Sequence, residues 1–309
     1  MERLRIGIVG VGKVAREQHI PVLRTNPAFD LIASVSGSAV VEGLLNYATI
    51  EEMFASVADL DAVAICSPPQ THYGSAKQAL MRRKHVLLEK PPCATTAEFD
   101  HLVHLARTNG CTLFQTWHAR HSAAVDHAKR WLAAHAIRGG RIVWKEDVRF
   151  WHPRQAWIWK TGGFGVLDAG INAISILTKV SPEPIFVDAA QLFYPANCDC
   201  PIAANVVFRT ESDARLEAEF DFRYNDKQHC SIVIETEAEP LRLERYGTEL
   251  SIGGAPVPTA IPEKDYSSLY GRFAELIAAR ESETDKLPFQ LVADIFLLAK
   301  RSLTDPFEE

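Results

Sequence analysis

Residues 4–15 have the sequence LRIGIVGVGKVA, and this stretch decides the class of fold. Leu4 to Val9 is an apolar, β-prone run, and a helical pattern begins at about Val14. Between them lies G-x-G-x-x-A, in which Gly10 permits a tight turn and Gly12 lets the backbone approach a pyrophosphate. The amides at the start of the helix, with the positive end of its dipole, favour an anion there. The stretch predicts a dinucleotide site; a tight turn without a ligand is the alternative.

Strands and helices alternate through the first third of the chain. The predicted strands are Leu4–Val9, Leu31–Val35, Ala62–Cys66, His85–Leu88 and Thr112–Gln115. The predicted helices are Val14–Thr25, Ile50–Ala58, Tyr73–Arg83 and Thr96–Asn109. Because right-handed crossovers place helices on both faces of such a sheet, the pattern predicts a doubly wound parallel sheet.

The pattern changes after about Trp117. One helix is followed by closely spaced strands, and two helices, at about Ser267–Arg280 and Pro288–Arg301, come last. Residues 215–222 alternate strictly between charged and apolar side chains, which predicts a mostly antiparallel sheet with one covered face. We therefore expect an α/β protein with a dinucleotide-binding domain at residues 1–118 and an α+β substrate domain at residues 119–309.

The composition is that of an ordinary soluble protein, with 309 residues, 47% hydrophobic and 23% charged. The net charge of −6 gives no support for nucleic acid or anionic membrane partners. Apolar runs such as Leu60–Cys66 are far shorter than the roughly 20 residues of a bilayer span, and no signal-type apolar region is evident, so we expect a cytoplasmic protein. Six cysteines are scattered apart from Cys198 and Cys200, which predicts neither a metal site nor a disulfide framework.

The end of the second predicted strand bears on the choice of dinucleotide. NAD sites usually carry an acidic residue there, but this chain has Ser36, Gly37 and Ser38. A 2′-phosphate would not be repelled, although no arginine is present to bind it. We predict NADP as the preferred cofactor and NAD as a usable second; a simple turn is the alternative.

Polar side chains follow the later strands of the predicted parallel sheet, at the edge where such sheets bind ligands. The candidates for cofactor contact are Gly10, Gly12, Lys13, Val14, Ser36, Gly37, Ser38, Ser67, Pro68, Gln70, His72, Glu89 and Lys90. Pro91 biases Lys90 towards an extended conformation, which could hold its amine near that edge. A solvated loop lysine is the alternative.

The second domain offers residues that suit a sugar. Glu146 falls on the opposite strand face from Lys145 and Asp147, and Trp151 and His152 follow closely. Carboxylates bind sugar hydroxyls and aromatic faces pack against C–H patches, although Trp151 could equally be core. His118 follows the fifth predicted strand and is a further candidate for substrate contact.

Asp168 and Asn172 follow a glycine-rich loop at the start of a predicted helix, and their spacing of four places them on one helix face. The alternative is that Asp168, Asn172, Ser175 and Lys179 form the solvated stripe of an amphipathic helix.

In this order, these segments resemble the glucose–fructose oxidoreductase and inositol dehydrogenase family over essentially the whole chain. The marks are the turn at Gly10–Gly12, the motif Glu89-Lys90-Pro91, and Asp168 with its polar partner Asn172. Finer features resemble the bacterial pentose and hexose 1-dehydrogenases that oxidise L-arabinose and D-galactose. They are Lys13 with Gln18-His19, residues 67–70, Pro92, Trp117-His118, residues 144–148, residues 151–153 and residues 163–172. Gly37 departs from the pattern, because NADP-using relatives tend to carry a basic residue there.

The resemblance implies an N-terminal Rossmann domain and a C-terminal domain whose open sheet can mediate homo-oligomers. It implies oxidation of a cyclic aldose, L-arabinose, D-galactose or D-fucose, at C1 to the lactone, with hydride transfer to nicotinamide. Asp168 is then the first choice of base, ahead of Lys90 or a histidine, and Lys90 stabilises the developing alkoxide. Asn172, Glu146, His118 and His152 would orient the sugar hydroxyls. The alternatives are another sugar or keto-sugar oxidoreductase and a catalytically silent regulator that binds dinucleotide and sugar.

Overall fold

The computed structural model describes residues 3–259 and 265–308. Two compact units divide the chain: Met1–Thr116 with Lys264–Asp285, and Trp117–Glu263 with Lys286–Glu309. Within the described residues, no helix has both the length and the apolar character needed to cross a membrane.

The first unit is built on a parallel sheet. Its strands are β1 (Leu4–Val9), β2 (Phe29–Val35), β3 (Leu45–Tyr47), β4 (Ala62–Ile65), β5 (His85–Leu88) and β6 (Leu113–Gln115). Their order is β3-β2-β1-β4-β5-β6, and each neighbouring pair is parallel. The direction of winding reverses at β1, so the carboxyl ends of β1 and β4 border the crevice where sheets of this type bind ligands.

Helices flank both sheets. They are α1 (Ile20–Thr25), preceded by a π-helical turn at Ala15–His19, α2 (Ile50–Ser56), α3 (Pro69–Met81), α4 (Thr96–Asn109), α5 (Val125–Leu132), α6 (Val148–Trp151), α7 (Leu167–Val180), α8 (Asp265–Ala279) and α9 (Leu287–Leu298). The start of α4 is set by its sequence, since Thr95 and Glu98 form a reciprocal capping box.

Strand β1 shows how the first unit is layered. Ile6 and Ile8 are fully buried in a cluster that also contains Leu23 of α1 and Phe273 of α8. Gly7 points the other way, where an added Cβ would lie 2.8 Å from the sulfur of Met53 in α2. Helices therefore cover both faces of the sheet, as the alternation of side chains along a strand requires.

The second unit contains a larger sheet. Its strands are β7 (Ile137–Asp147), β8 (Ile185–Pro195), β9 (Ala203–Thr210), β10 (Arg215–Asp221), β11 (Arg223–Thr236), β12 (Leu241–Glu244), β13 (Glu249–Ile252), β14 (Ala255–Val257) and β15 (Lys300–Thr304). The order is β14-β13-β12-β11-β7-β10-β9-β8-β15, with only the β10–β7 and β15–β8 pairs parallel among these strands. The sheet is therefore mostly antiparallel, as predicted.

One face of this second sheet is covered and the other is charged. Leu216, Ala218 and Phe220 of β10 are buried, whereas Arg215 and Glu217 are exposed. Helix α7 lies against the buried face, because an added Cβ at its Gly170 would be 3.1 Å from the ring of Phe220. The strict alternation in the sequence predicted this division correctly.

Most predicted elements are present, and two differences have physical reasons. Strand β3 was missed because it has only three residues and none of them is buried. The helix predicted over Pro288–Arg301 ends at Leu298, and residues 300–304 pair with β8 as an edge strand instead. Leu297 and Leu303 are about four-fifths exposed, so the apolar pattern that suggested a longer helix does not mark a buried face there.

Candidate active site

The turn after β1 has the geometry that its glycines suggested. Gly10 adopts φ +90°, and its N–H donates to the Val35 carbonyl at 2.9 Å. An added Cβ at Gly10 would lie 2.4 Å from the Ser67 nitrogen, so the loops after β1 and β4 approach too closely for any side chain. At Gly12 an added Cβ meets nothing within 4 Å. The first glycine is needed for packing, and the second keeps open space beside the helix start.

Open space at Gly12 fits a dinucleotide pyrophosphate. The Gly12 carbonyl accepts from the Arg16 N–H at 3.1 Å, so the helical path begins directly after this glycine. Ala15 is fully buried, which lets helix and sheet pack closely, and Val14 is 43% exposed on the first turn. Lys13 Nζ lies 2.6 Å from Glu17 Oε1. The backbone amides at the start of the helix are groups that could bind the phosphates, and the contact predicted for Lys13 stays a prediction.

The turn after β2 holds the three residues predicted to face the adenosine ribose. The Ser36 N–H donates to the Tyr47 carbonyl at 3.0 Å, and the Ser36 hydroxyl accepts from the Ala39 N–H at 3.1 Å. The Ser38 N–H lies 3.4 Å from the same hydroxyl. An added Cβ at Gly37 meets nothing within 4 Å, so this position can take a larger side chain.

The loop after β4 leads into α3. Ser67 Oγ accepts from the Thr71 hydroxyl at 2.8 Å, Pro68 is the residue before the helix, and Gln70 lies in its first turn. His72 is fully buried. Its Nδ1 lies 3.0 Å from the Pro91 carbonyl, and its Nε2 contacts the Ser67 carbonyl. The imidazole therefore ties this loop to the one after β5.

Glu89 and Lys90 follow β5. The Glu89 side chain is buried, and its Oε2 accepts from the Lys90 N–H at 2.8 Å. Its Oε1 lies 3.1 Å from Nε2 of His19, which is fully buried. Lys90 itself is partly exposed, and the Lys90–Pro91 peptide is cis.

Helix α7 of the second unit carries two more predicted residues. Asp168 and Asn172 are 1% and 7% exposed, and the Asp168 N–H donates to the Gly165 carbonyl at 2.9 Å. Ser175, on the same face, is also buried. A solvated stripe over these three positions is therefore excluded, and the face of α7 that carries the carboxylate points into protein.

His152 is brought to Asp168 from outside the helix. Its Nε2 lies 3.6 Å from Asp168 Oδ2, and its Nδ1 lies 3.3 Å from Gln155 Oε1. The indole N–H of Trp157 donates to that same Gln155 oxygen at 2.9 Å. An imidazole held between an amide and a buried carboxylate can orient hydroxyl groups or exchange a proton.

Glu146 lies on the buried face of β7 and is 4% exposed. The Trp144 indole N–H donates to its Oε1 at 2.9 Å, and the Tyr246 hydroxyl donates to the same oxygen. Burial first, and then the Glu146 charge, raise the pKa of Tyr246 far above its ordinary value. Tyr246 therefore remains a donor, and the carboxylate is held by two fixed groups.

Trp151 and His118 complete the predicted set. The Trp151 indole N–H donates to the Lys227 carbonyl at 3.0 Å, and its ring centroid lies 6.4 Å from that of Tyr246. Trp151 is only partly buried, so it is not ordinary core. His118 begins a short 3₁₀ turn, His118–His121, which packs against the Arg245–Gly247 turn that carries Tyr246.

Four residues that contact members of these clusters were not predicted: Gln155, Tyr246, Tyr266 and Tyr270. Gln155 contacts His152, Tyr246 donates to Glu146, Tyr266 hydrogen-bonds to Glu89, and Tyr270 contacts His19. None of the four lies in a recognisable motif. Tyr246 has φ 60°, which is unusual for a bulky residue, but sequence does not reveal backbone angles. Among the described residues, no group of three or more His, Cys, Asp or Glu side chains could hold a metal ion.

Comparison with known proteins assigns the family. Residues 4–116 match the model of an oxidoreductase family with an NAD-binding Rossmann fold, named for glucose–fructose oxidoreductase, inositol dehydrogenase and MocA. The chain is 40% identical to galactose 1-dehydrogenase of Pseudomonas fluorescens over 311 aligned positions, which cover 99% of each chain. The chain belongs to this oxidoreductase family, which confirms the predicted resemblance and fold class.

Solved structures agree with that assignment. A D-galactose-1-dehydrogenase from Rhizobium etli superposes with a TM-score of 0.93 at 46% identity, covering 100% of this chain and 99% of the other. A 3-ketoreductase from Actinomadura kijaniata, solved with NADP and TDP-benzene, gives a TM-score of 0.84 at 16% identity and covers 98% and 100%. At that identity the second likeness supports the fold alone.

Proposed function

We propose that this chain is an NAD(P)-dependent aldose 1-dehydrogenase that oxidises D-galactose, L-arabinose or both at C1 to the lactone. The observation that carries the proposal is the full-length similarity to two proteins named galactose 1-dehydrogenase, at 40% and 46% identity. The clusters around Asp168 and Glu146 supply groups suited to a polyhydroxylated, uncharged substrate.

The chemistry needs a hydride acceptor and a base. Nicotinamide, when bound, accepts the hydride from the sugar C1. The anomeric hydroxyl is weakly acidic, so a base placed near it contributes on the order of 10²–10⁴-fold to the rate. Asp168 is our first choice, because a carboxylate enclosed at the start of α7 is fixed by its helix and touches His152.

Lys90 is proposed to stabilise the oxygen as its negative charge develops. An ammonium group is suited to this role, and the hydrogen bond that the Lys90 backbone N–H donates to the Glu89 carboxylate fixes the start of the lysine side chain. Lys90 and a histidine remain the alternatives for the base, and His152 is the histidine that contacts Asp168.

Sugar recognition is assigned to Glu146, Asn172, His152, His118 and Trp151. The Glu146 carboxylate is held by Trp144 and Tyr246, which suits an acceptor that discriminates between hydroxyl stereochemistries. L-arabinose and D-galactose share their ring configuration from C1 to C4, and D-fucose lies between them in size. One set of polar contacts could therefore serve all three sugars.

For the cofactor we propose NADP first and NAD second. The turn at Ser36–Ser38 carries no acidic residue to repel a 2′-phosphate, and open space at Gly37 leaves room for one. Neither a clamping arginine nor a ribose-binding carboxylate is present in this turn, so the predicted preference is modest.

The test is steady-state reduction of NADP and of NAD by D-galactose, L-arabinose and D-fucose, each ranked by kcat/KM. We expect turnover with at least one of these sugars and a higher kcat/KM with NADP. Binding of dinucleotide and sugar without turnover would instead support a silent regulator. Turnover confined to the reduction of keto-sugars would support the other oxidoreductase alternative.

A further inference from the structure

The first unit contains a buried polar cluster that contacts the Lys90 backbone. At its centre is the Glu89 carboxylate, which accepts from the Lys90 N–H at 2.8 Å through Oε2 and lies 3.1 Å from His19 Nε2 through Oε1. The hydroxyl of Tyr266 in α8 also hydrogen-bonds to Glu89. Three donors from separate parts of the chain therefore converge on one enclosed carboxylate.

A second tyrosine extends the cluster. The Tyr270 hydroxyl lies 2.8 Å from His19 Nδ1, and both residues are fully buried. Burial, followed by nearby negative groups that include Glu89, raises the pKa values of Tyr266 and Tyr270 well above their ordinary value. Both hydroxyls therefore remain protonated and can donate. Donation by Tyr270 to Nδ1 leaves the His19 proton on Nε2, where it faces Glu89.

His19 also connects this cluster to the glycine turn. It is the last residue of the π-helical turn Ala15–His19, which follows directly on the turn that contains Gly12. A π-helical turn shifts the side chains that follow it relative to an α-helix, and such turns are frequent at functional sites. Here the turn ends with His19 directed inward, towards Glu89 and Tyr270.

We propose that Glu89 is a positioning residue: it binds the Lys90 backbone N–H and, itself held by His19 and Tyr266, fixes where the Lys90 amine is presented. This inference rests on the proposed function, since it assigns Lys90 a place in the reaction. Nothing in it requires Glu89 to touch the substrate. A buried carboxylate with several donors is rigid, because losing any one contact leaves charge unsatisfied.

The closest isosteric change is Glu89→Gln. Glutamine offers one acceptor and one donor group, so it cannot accept from His19, Tyr266 and Lys90 together. We expect kcat to fall about 10- to 100-fold, as for a misplaced catalytic group, with KM for the dinucleotide within about 3-fold. A merely structural role would lower the melting temperature and leave the kcat of the folded enzyme unchanged.

Two substitutions at His19 separate the contacts. In His19→Gln the side-chain amide can replace Nε2 and still donate to Glu89, whereas in His19→Asn it replaces Nδ1 and contacts Tyr270 only. We expect the glutamine variant to retain most of the wild-type kcat and the asparagine variant to match Glu89→Gln. Tyr73→Phe is the control, because it removes a tyrosine–histidine hydrogen bond, to His101, outside this cluster.

A measurement independent of turnover completes the test. After reductive methylation with ¹³C-formaldehyde, the Lys90 dimethylamine gives an NMR signal whose chemical shift depends on its surroundings. We expect this chemical shift to change in Glu89→Gln and His19→Asn and to stay unchanged in His19→Gln and Tyr73→Phe. An unchanged Lys90 signal in folded Glu89→Gln would overturn the inference. Absence of aldose oxidation by the wild type would contradict only the proposed function, and the NMR comparison would still decide the role of Glu89.

Discussion

His152 Nε2 lies 3.6 Å from Asp168 Oδ2, and the carboxylate side chain is only 2% exposed. Gln155 Oε1 lies 3.3 Å from the other ring nitrogen, so the imidazole has a polar neighbour on each side. The arrangement allows two divisions of labour. Asp168 takes the proton and His152 orients the sugar, or His152 takes the proton and Asp168 orients its ring.

Replacing the imidazole distinguishes these roles. If His152 only orients a hydroxyl, His152→Gln should raise KM for the sugar about 10-fold and leave kcat within about 3-fold. His101→Gln, at an exposed position in α4, is the matched control and should change neither. A loss of kcat on the order of 10²-fold or more, with a shift in the acidic limb of the pH–rate profile, would move the base to His152.

The two glycines of the first turn should respond in opposite ways. Gly10→Ala places a Cβ 2.4 Å from the Ser67 nitrogen at φ +90°, so we expect a loss of unfolding free energy of about 2–4 kcal/mol. Gly12→Ala meets no atom within 4 Å and should fold normally. The same Cβ would occupy the space assigned to the pyrophosphate, so the Kd for dinucleotide should rise about 10-fold or more. Thermal melts and fluorescence titrations measure the two effects separately.

Cofactor choice should be tunable at Gly37. Gly37→Arg adds a cation beside a 2′-phosphate, and we expect the NADP-to-NAD ratio of kcat/KM to rise about 10-fold. Gly37→Asp should reverse the preference, because a carboxylate binds the ribose hydroxyls and repels the phosphate. If both variants keep the wild-type ratio, the turn after β2 does not face the ribose.

A substitution at Tyr246 tests whether its hydroxyl positions the Glu146 carboxylate. Tyr246→Phe removes one of the two donors to Glu146 Oε1, which should raise KM for the sugar about 10-fold and lower the unfolding free energy by about 1–3 kcal/mol. Tyr224→Phe, on β11, is the control for loss of a tyrosine hydroxyl. Unchanged sugar kinetics in Tyr246→Phe would remove the link between this contact and recognition.

The buried tyrosines predict the response of stability to alkali. Burial raises the folded-state pKa values of Tyr246, Tyr266 and Tyr270 above the unfolded value of about 10. Their contribution is therefore fully present below about pH 10 and is lost as pH rises towards the folded-state pKa values, because the unfolded chain releases these protons first. Denaturant titrations from about pH 8 to 11 should show falling stability above pH 10. Ionisation of all seven tyrosines near pH 10 without unfolding would contradict this.

Local signals in the sequence were enough for much of the fold. The run Leu4–Val9 and the glycines after it predicted β1 and its turn, and His85–Leu88 and Thr96–Asn109 were predicted with their observed bounds. Strand β3 could not be predicted in this way, since its three residues bury no apolar face. Edge strand β15 could not be predicted from local signals either, because its partner β8 lies about a hundred residues earlier in the chain.

The candidate site shows the same difference between local sequence signals and contacts that join distant parts of the chain. Helix periodicity predicted that Asp168 and Asn172 share one face of α7, and strand periodicity predicted the face of β7 on which Glu146 lies. Contacts between distant parts of the chain could not be predicted, since Tyr246 reaches Glu146 across 100 residues and Tyr270 reaches His19 across 251. Such contacts depend on the tertiary fold, and neither tyrosine belongs to a motif that would indicate its partner.

Sugar-dependent growth of absorbance at about 340 nm with NADP, compared between the wild type and Asp168→Ala, tests the proposed role of Asp168 most directly. We predict turnover of D-galactose or L-arabinose by the wild type and a loss of kcat on the order of 10²–10⁴-fold in the variant, with dinucleotide binding intact. Near-normal turnover by a folded, dinucleotide-binding Asp168→Ala would contradict the account.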